Sequence, residues 1–450
     1  MSVLTLDVRL DGFAAPIGKL TRKISGDVTF AYTSEHLDVP NPLPLSLSLP
    51  LQEAAYGDVV ARSFFSNLLQ ERDQPLKEVR ERYGIESTDL IGLLFHLGAD
   101  CAGAVSILPE GSAPTKVPGN LETDYDVLSR EYLLEIVRAL YRRTALPNEL
   151  RDPSPLTGMQ SKISILMLPE ETFALPKRGT GAPTTHVMKV PDRDHLIDPE
   201  QESLSLQMSG QCGILTVPST KLEFSGIPVL ITHRFDRSFN AQGQVIRLHQ
   251  EDFAQALSLP PSLKYQRRGV EGRQFDAQAI GGLLNETANP DIARLFMLKL
   301  TLFDLLIGNV DGHAKNHALL YTGGTRPDLA PRYDVLPTRL DANLTDQLSY
   351  DIGSAKTLQA IDKEQFSVFL SHIGIARKPA QNRLINAALG DIVPILAWHL
   401  GNLTQMDQKS FADLIAANMR ELLPKLDFPV PQQALHRDAH VVRGNGWQTR

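Results

Sequence analysis

The sequence predicts an α+β protein in which a mixed N-terminal unit precedes a strand-rich lobe and a helical lobe. Three observations carry this: short alternating segments at the start, a strand-rich stretch containing one well-punctuated helix, and a second half dominated by helical periodicity. The expected divisions are 1–110, 111–245 and 246–430, with a mobile tail at 431–450. A length of 450 residues is about three times that of a typical domain, so several packed units are expected.

Each element has a local reason. Val3, Leu4, Leu6, Val8 and Leu10 form a first strand closed by the turn dipeptide Asp11-Gly12, and Val28, Phe30 and Tyr32 alternate again. Pro44–Leu51 alternates too, and its prolines place it at a sheet edge or in an extended connection. Phe64–Leu69 begins a helical region, and a helix at Glu131–Tyr141 leads into the next unit. Strands are expected at Ile163–Leu168, His186–Val190, Pro228–Thr232 and Val245–Leu248. Between them Asp198 serves as an N-cap, Pro199 suits the first helical position, Leu204, Met208 and Cys212 form an apolar stripe, and Gly213 is the C-cap. Ile292, Leu295, Phe296, Leu302, Phe303 and Leu306 line a long helix, and 363–425 holds several more.

Composition excludes several classes. The apolar fraction of 42% and charged fraction of 22% are ordinary for globular chains. Forty-five basic against 52 acidic residues give −7, which argues against a surface that grips nucleic acid or anionic membrane throughout. Cys101 and Cys212 cannot build a disulfide framework or a four-cysteine zinc site. The start of the chain lacks the basic region of an export signal, and the most apolar run, from Ile292 to Val310, is interrupted by Arg294, Lys299 and Asp304. A cytoplasmic protein without a membrane partner is expected.

The chemistry concentrates after the long helix, in Ile307-Gly308-Asn309-Val310-Asp311-Gly312-His313-Ala314-Lys315-Asn316-His317. Asp311 and Asn316 have the Asp-x-x-x-x-Asn spacing of a kinase catalytic loop, where the aspartate takes the substrate hydroxyl and the asparagine oxygen holds magnesium. Composition alone gives that spacing about once in such a chain. Its order adds weight: Lys189 on a strand, Glu202 on the next helix, then Asp311, Asn316 and a second aspartate, Asp334. One carboxylate, one amide oxygen and phosphate oxygens suit magnesium. A competing zinc reading uses His313 and His317, four apart, but Ala314 stands where the general-base glutamate belongs and Gly312 disfavours a helix.

With these residues the strand-rich and helical lobes resemble the two-lobed plan of protein kinases, and the chain resembles the HipA family of bacterial serine/threonine kinase toxins. The motifs that carry the resemblance are Pro44–Leu51, Phe64–Leu69, Gly98–Val105, Gly158–Lys162, Thr184–Lys189, Arg234–Arg237, Gln250–Phe253, Leu263–Tyr265, Asp311–Asn316 and Tyr333-Asp334. It implies that Asp311 is catalytic and that Asn316 and Asp334 hold Mg2+. It further implies that Lys189 contacts ATP phosphates with Glu202 as its helix partner, and that the backbone of Thr157, Gly158, Met159, Gln160, Ser161 and Lys162 covers them. His233, Arg234 and Phe235 would border adenine through main-chain bonds, while His313, Lys315, Asn316 and Tyr333 would line the nucleotide site.

The family also implies a HipB-like helix-turn-helix antitoxin, operator DNA contacted mainly through it, and an aminoacyl-tRNA synthetase such as glutamyl-tRNA synthetase as substrate. The sequence departs from the family twice. Pro155 occupies the position of the usual regulatory serine, leaving Ser154 one residue earlier, and Gln266-Arg267-Arg268-Gly269 replaces a glycine-glycine-proline element. A small-molecule kinase of this plan and a weakly catalytic co-repressor are the alternatives.

Overall fold

The computed structural model describes residues 2–70, 73–144, 146–147 and 161–437, so the expected tail at 431–450 lies outside the described residues from 438 onward. The chain forms two compact units. The first comprises 1–199, 218–262 and 318–327, and the second 200–217, 263–317 and 328–450.

The first unit contains two principal antiparallel sheets. One has four strands in the order Val28–Tyr32, Gly18–Arg22, Leu4–Leu10, Val105–Pro109. Leu6, Val8, Leu10 and Phe30 from it are buried with Phe64, Phe65 and Ile91 from the helices Asp58–Ser66 and Leu90–Leu97. The other has six strands, ordered Tyr125–Val127, Thr172–Pro176, Ser161–Leu168, His186–Val190, Ile227–His233, Ser219–Phe224. The helix Arg130–Arg142, capped by Ser129, covers it with Ile136 and Val137.

Two expectations about this unit are corrected. Phe64 and Phe65 end a helix that begins at Asp58, where an acidic residue complements the helix dipole. Pro44–Leu51 is neither a sheet edge nor an extended connection throughout: Leu49 N donates to Ser46 O at 3.0 Å in a tight turn that buries Leu45 and Leu49. Its alternation comes from anchoring. Ser46 Oγ donates to Glu251 Oε2, Leu47 N donates to Glu251 Oε1 at 3.0 Å, and Tyr321 Oη donates to the same oxygen at 2.8 Å. Glu251 lies on the strand His249–Asp252, which pairs with Ala318–Tyr321.

Burial pushes the Glu251 carboxyl up to about 7, against the opposing pull of those donors. Its ordinary value is 4.5, so between 4.5 and about 7 the folded chain holds more protons than the unfolded one. Stability contributed at this group therefore falls as pH rises through that window and levels above it, by roughly 3 kcal/mol. Glu251→Gln should remove this component, and urea midpoints of both proteins at pH 5 and pH 8 check it.

A second polar cluster joins the Gly98–Val105 motif to Arg234–Arg237. Gly103 adopts φ +71 and donates its N–H to Asp236 Oδ2 at 2.8 Å, and a Cβ there would meet Gln250 N at 2.9 Å. Arg234 grips both oxygens of Asp236, at 3.0 and 2.9 Å. Arg247, with a fully buried side chain, bonds Asp11 and Asp100.

The second unit is helical. Pro290–Ile307, Lys378–Gln405 and Lys409–Leu422 pack together, with Lys363–His372 and Ala277–Asn285 beside them. Asp198–Gln211 matches the predicted helix; its end folds back at Gly213 (φ +73), and Leu204, Met208 and Cys212 are buried. Lys378–Gln405 has the length and a mean hydropathy of 1.4 that a membrane span requires, but half of that window is buried within the protein. Asp391 in it pairs with Lys299 at 2.6 Å. It is a core helix of this unit.

Candidate active site

The loop Gly308–His317 is shaped by the end of the helix before it. Gly308 takes φ +81 and returns its N–H to Asp304 O at 3.0 Å, and a Cβ there would stand 2.7 Å from Leu414. Asn309 N bonds the same carbonyl at 2.9 Å, and Asn309 Nδ2 donates to Asp304 Oδ1 at 3.0 Å. Val310 N is held by Thr338 Oγ1 and Val310 O by Ser349 Oγ. The chain then folds on itself: His313 N donates to Asp311 O at 2.7 Å, and Asn316 N to His313 O at 2.8 Å. These bonds leave few degrees of freedom to the backbone at Asp311.

Asp304 is the residue that sequence reasoning missed. It is buried in the long helix and receives two bonds from Arg332 Nη2, at 3.0 and 2.7 Å. Arg332 Nη1 also donates to Asn316 O at 3.3 Å. Burial pushes the Asp304 carboxyl above its usual value, and the Arg332 guanidinium opposes that shift. This buried pair ties the loop to the segment that supplies Asp334. The signal was a carboxylate within the apolar last turns of the helix, which requires a partner.

Asp311, Asn316 and Asp334 belong to the second unit. Asn316 is buried, and its Nδ2 donates to Asp311 O at 2.7 Å. That bond assigns the amide nitrogen and leaves the side-chain oxygen as a hard donor for a cation. Asp334 has the left-handed φ of +57, uncommon outside glycine and a feature of constrained sites. Burial raises the Asp311 carboxyl above its usual range, and the neighbouring Asp334 charge raises it further. Two carboxylates that repel in one place, beside an amide oxygen, fit a divalent cation with oxygen ligands.

His313 and Lys315 are buried in the same loop, and Tyr333 Oη donates to Lys315 O at 2.8 Å. His317 spends Nε2 on Gly312 O at 3.1 Å, and burial lowers it to about 3, so it is a neutral structural histidine. The His313/His317 spacing is therefore not a ligand pair, and no cluster of three or more His, Cys, Asp or Glu is found among the described residues.

In the first unit Lys189 is half-buried on His186–Val190. Its cross-strand neighbour is Lys162. His233 N is bonded to Pro218 O and Arg234 N to Thr185 O, both at 2.9 Å. The Arg234 side chain is committed to Asp236. Ser161 and Lys162 open the strand Ser161–Leu168, whereas Ser154, Thr157, Gly158, Met159 and Gln160 lie outside the described residues. Glu202 is buried on Asp198–Gln211, within the second unit.

The family model for the HipA N-terminal domain matches residues 6–108, and that for the HipA-like C-terminal domain matches 154–393. A putative kinase, Y4mE, of Sinorhizobium fredii is 33% identical over 86% of this chain and 90% of its own. The serine/threonine-protein kinase toxin HipA of Shewanella oneidensis is 28% identical over 83% of this chain and 84% of its own. The Shewanella oneidensis MR-1 HipA structure, solved with HipB and operator DNA, superposes with a TM-score of 0.75 at 23% identity, covering 94% of this chain and 98% of that one. It bears out the α+β, kinase-like fold class. The chain belongs to the HipA family of kinases.

Proposed function

We propose that this protein is an ATP- and magnesium-dependent serine/threonine protein kinase that acts as the toxin of a cytoplasmic toxin–antitoxin pair. The carrying observation is the Asp311–Asn316 loop, held by hydrogen bonds at nearly every residue and tied through Asp304 and Arg332 to the Asp334 segment. In this reading the acceptor hydroxyl attacks the γ-phosphorus, the bond to the β-phosphate oxygen breaks, ADP leaves and Asp311 takes the proton. Magnesium, held by Asn316 and Asp334, would neutralise phosphate oxygens when bound. Lys189 would supply further positive charge to the phosphates. Such catalysis is positioning plus electrostatics, so a rigid loop is what it needs.

The relative from Shewanella is named a serine/threonine-protein kinase toxin, and its solved complex contains HipB and operator DNA. By that likeness we assign this chain a HipB-like helix-turn-helix antitoxin, and operator DNA mainly through it. The net charge of −7 suits an indirect DNA contact. An aminoacyl-tRNA synthetase, glutamyl-tRNA synthetase among them, is the proposed substrate class. The test is incubation of the purified chain with γ-labelled ATP, magnesium and cell lysate. A labelled protein band supports the reading. Label on metabolites alone would make it a small-molecule kinase, and no label, with antitoxin binding intact, a co-repressor.

A further inference from the structure

We propose that Tyr265 is a positioning residue of the phosphoryl-transfer site, fixing the carboxylate of Asp311 while Arg267 fixes Tyr265. The proposal rests on the kinase reading above and adds a residue to it.

The geometry starts from a gap in the loop's own restraints. The hydrogen bonds within the loop hold the backbone of Asp311, but none of them restrains its carboxylate. Tyr265 Oη supplies the hydrogen bond that this carboxylate accepts among the described residues, at 2.5 Å to Oδ1. One oxygen is thereby oriented, and the other is left for an incoming hydroxyl. A general base works only when its oxygen sits within hydrogen-bond reach of the proton, and small displacements cost rate steeply.

Tyr265 is itself held on several sides. The Arg267 guanidinium lies over its ring, 3.9 Å from the centroid, with Lys264 and Arg268 each at 5.6 Å. Cations over a ring face are attracted by its quadrupole. The His313 ring meets it edge-on at 5.0 Å. The backbone on either side is laced to the loop: Ala314 N donates to Lys264 O at 3.0 Å, and Gln266 N donates to Ser349 O at 2.9 Å. Ser349 Oγ in turn bonds Val310 O at 2.7 Å. The segment Lys264–Gln266 is thus built against the catalytic loop, and its tyrosine presents one polar atom to the one carboxylate whose aim matters.

Tyr265→Phe keeps the ring, the stacked arginine and the backbone bonds and removes only the hydroxyl. The expected result is a kcat about tenfold to a hundredfold lower, with KM for ATP and nucleotide affinity within about twofold of the wild type. Arg267→Ala should show a smaller kcat loss with the same unchanged KM. On an Asp311→Ala background, Tyr265→Phe should cost nothing further, because its effect passes through that carboxylate. A Tyr265→Phe enzyme as fast as the wild type, or faster, would overturn the proposal; so would a rise in KM matching the fall in kcat, or additive loss in the double variant. If the wild type transfers no phosphate, the kinase reading fails separately. The contact is then read from the carbon-13 carboxyl signal of Asp311, assigned by its absence in Asp311→Asn. A shift of that signal in Tyr265→Phe supports the contact, and an unmoved signal refutes it.

Discussion

Asp311→Ala should bind ATP as the wild type does and transfer phosphate about 10² to 10⁴ times more slowly, the range ascribed to a positioned general base. The backbone at 311 is held by Asn309 Oδ1 and by bonds from His313 and Asn316 to its carbonyl, none of which uses the Asp311 side chain. Removing the carboxylate should therefore leave the loop in place. Equilibrium binding of a fluorescent ATP analogue and single-turnover transfer separate the two effects. The same variant should lose growth inhibition when expressed without an antitoxin. An Asp311→Ala protein that remains equally active and equally toxic would refute the kinase mechanism.

The second large effect is expected at the buried ion pair. Arg332→Met leaves Asp304 in the interior without its partner, and breaking such a pair from one side costs roughly 3–5 kcal/mol. It also removes the bond to Asn316 O, so transfer should be lost along with stability. The double variant Asp304→Leu/Arg332→Met separates these roles. Replacing both charges with apolar groups recovers much of the stability, because neither ion then bears a desolvation penalty. Activity should stay low, since Asn309 and Asn316 both lose a partner. Urea denaturation and transfer rates on the three proteins give the comparison. Recovery of both stability and rate in the double variant would show that the pair does not position the loop.

Much of the architecture was legible from periodicity. His186–Val190 was read to the residue, because its alternation coincides with burial on a half-covered sheet. The helix Asp198–Gln211 was legible from its punctuation, and the Asp311–Asn316 loop from spacing and order. Other features could not be seen along the chain. Pro44–Leu51 looked like a sheet edge or an extended connection because it alternates, yet the pattern serves a turn whose Ser46 answers a glutamate 205 positions away. Asp304 read as an interruption of an apolar stripe; its meaning depends on Arg332, 28 residues on. Tyr265 stood within the Leu263–Tyr265 motif, but a tyrosine's role is set by what its hydroxyl meets. Long-range polar pairs are the common cause: sequence shows each member, and only folding shows the match.

The buried polar contacts of the first unit bear on how the chain can be divided. The two family models break between 108 and 154, which invites expression of the C-terminal part alone. The hydrogen bonds disregard that boundary. Cutting there would leave Arg247 without Asp11 and Asp100, Asp236 without Gly103, and Glu251 without Ser46 and Leu47. Three buried ionisable groups would lose partners at once. In this chain the N-terminal region supplies partners to the buried polar groups of the C-terminal part, and the two regions are expected to fold together.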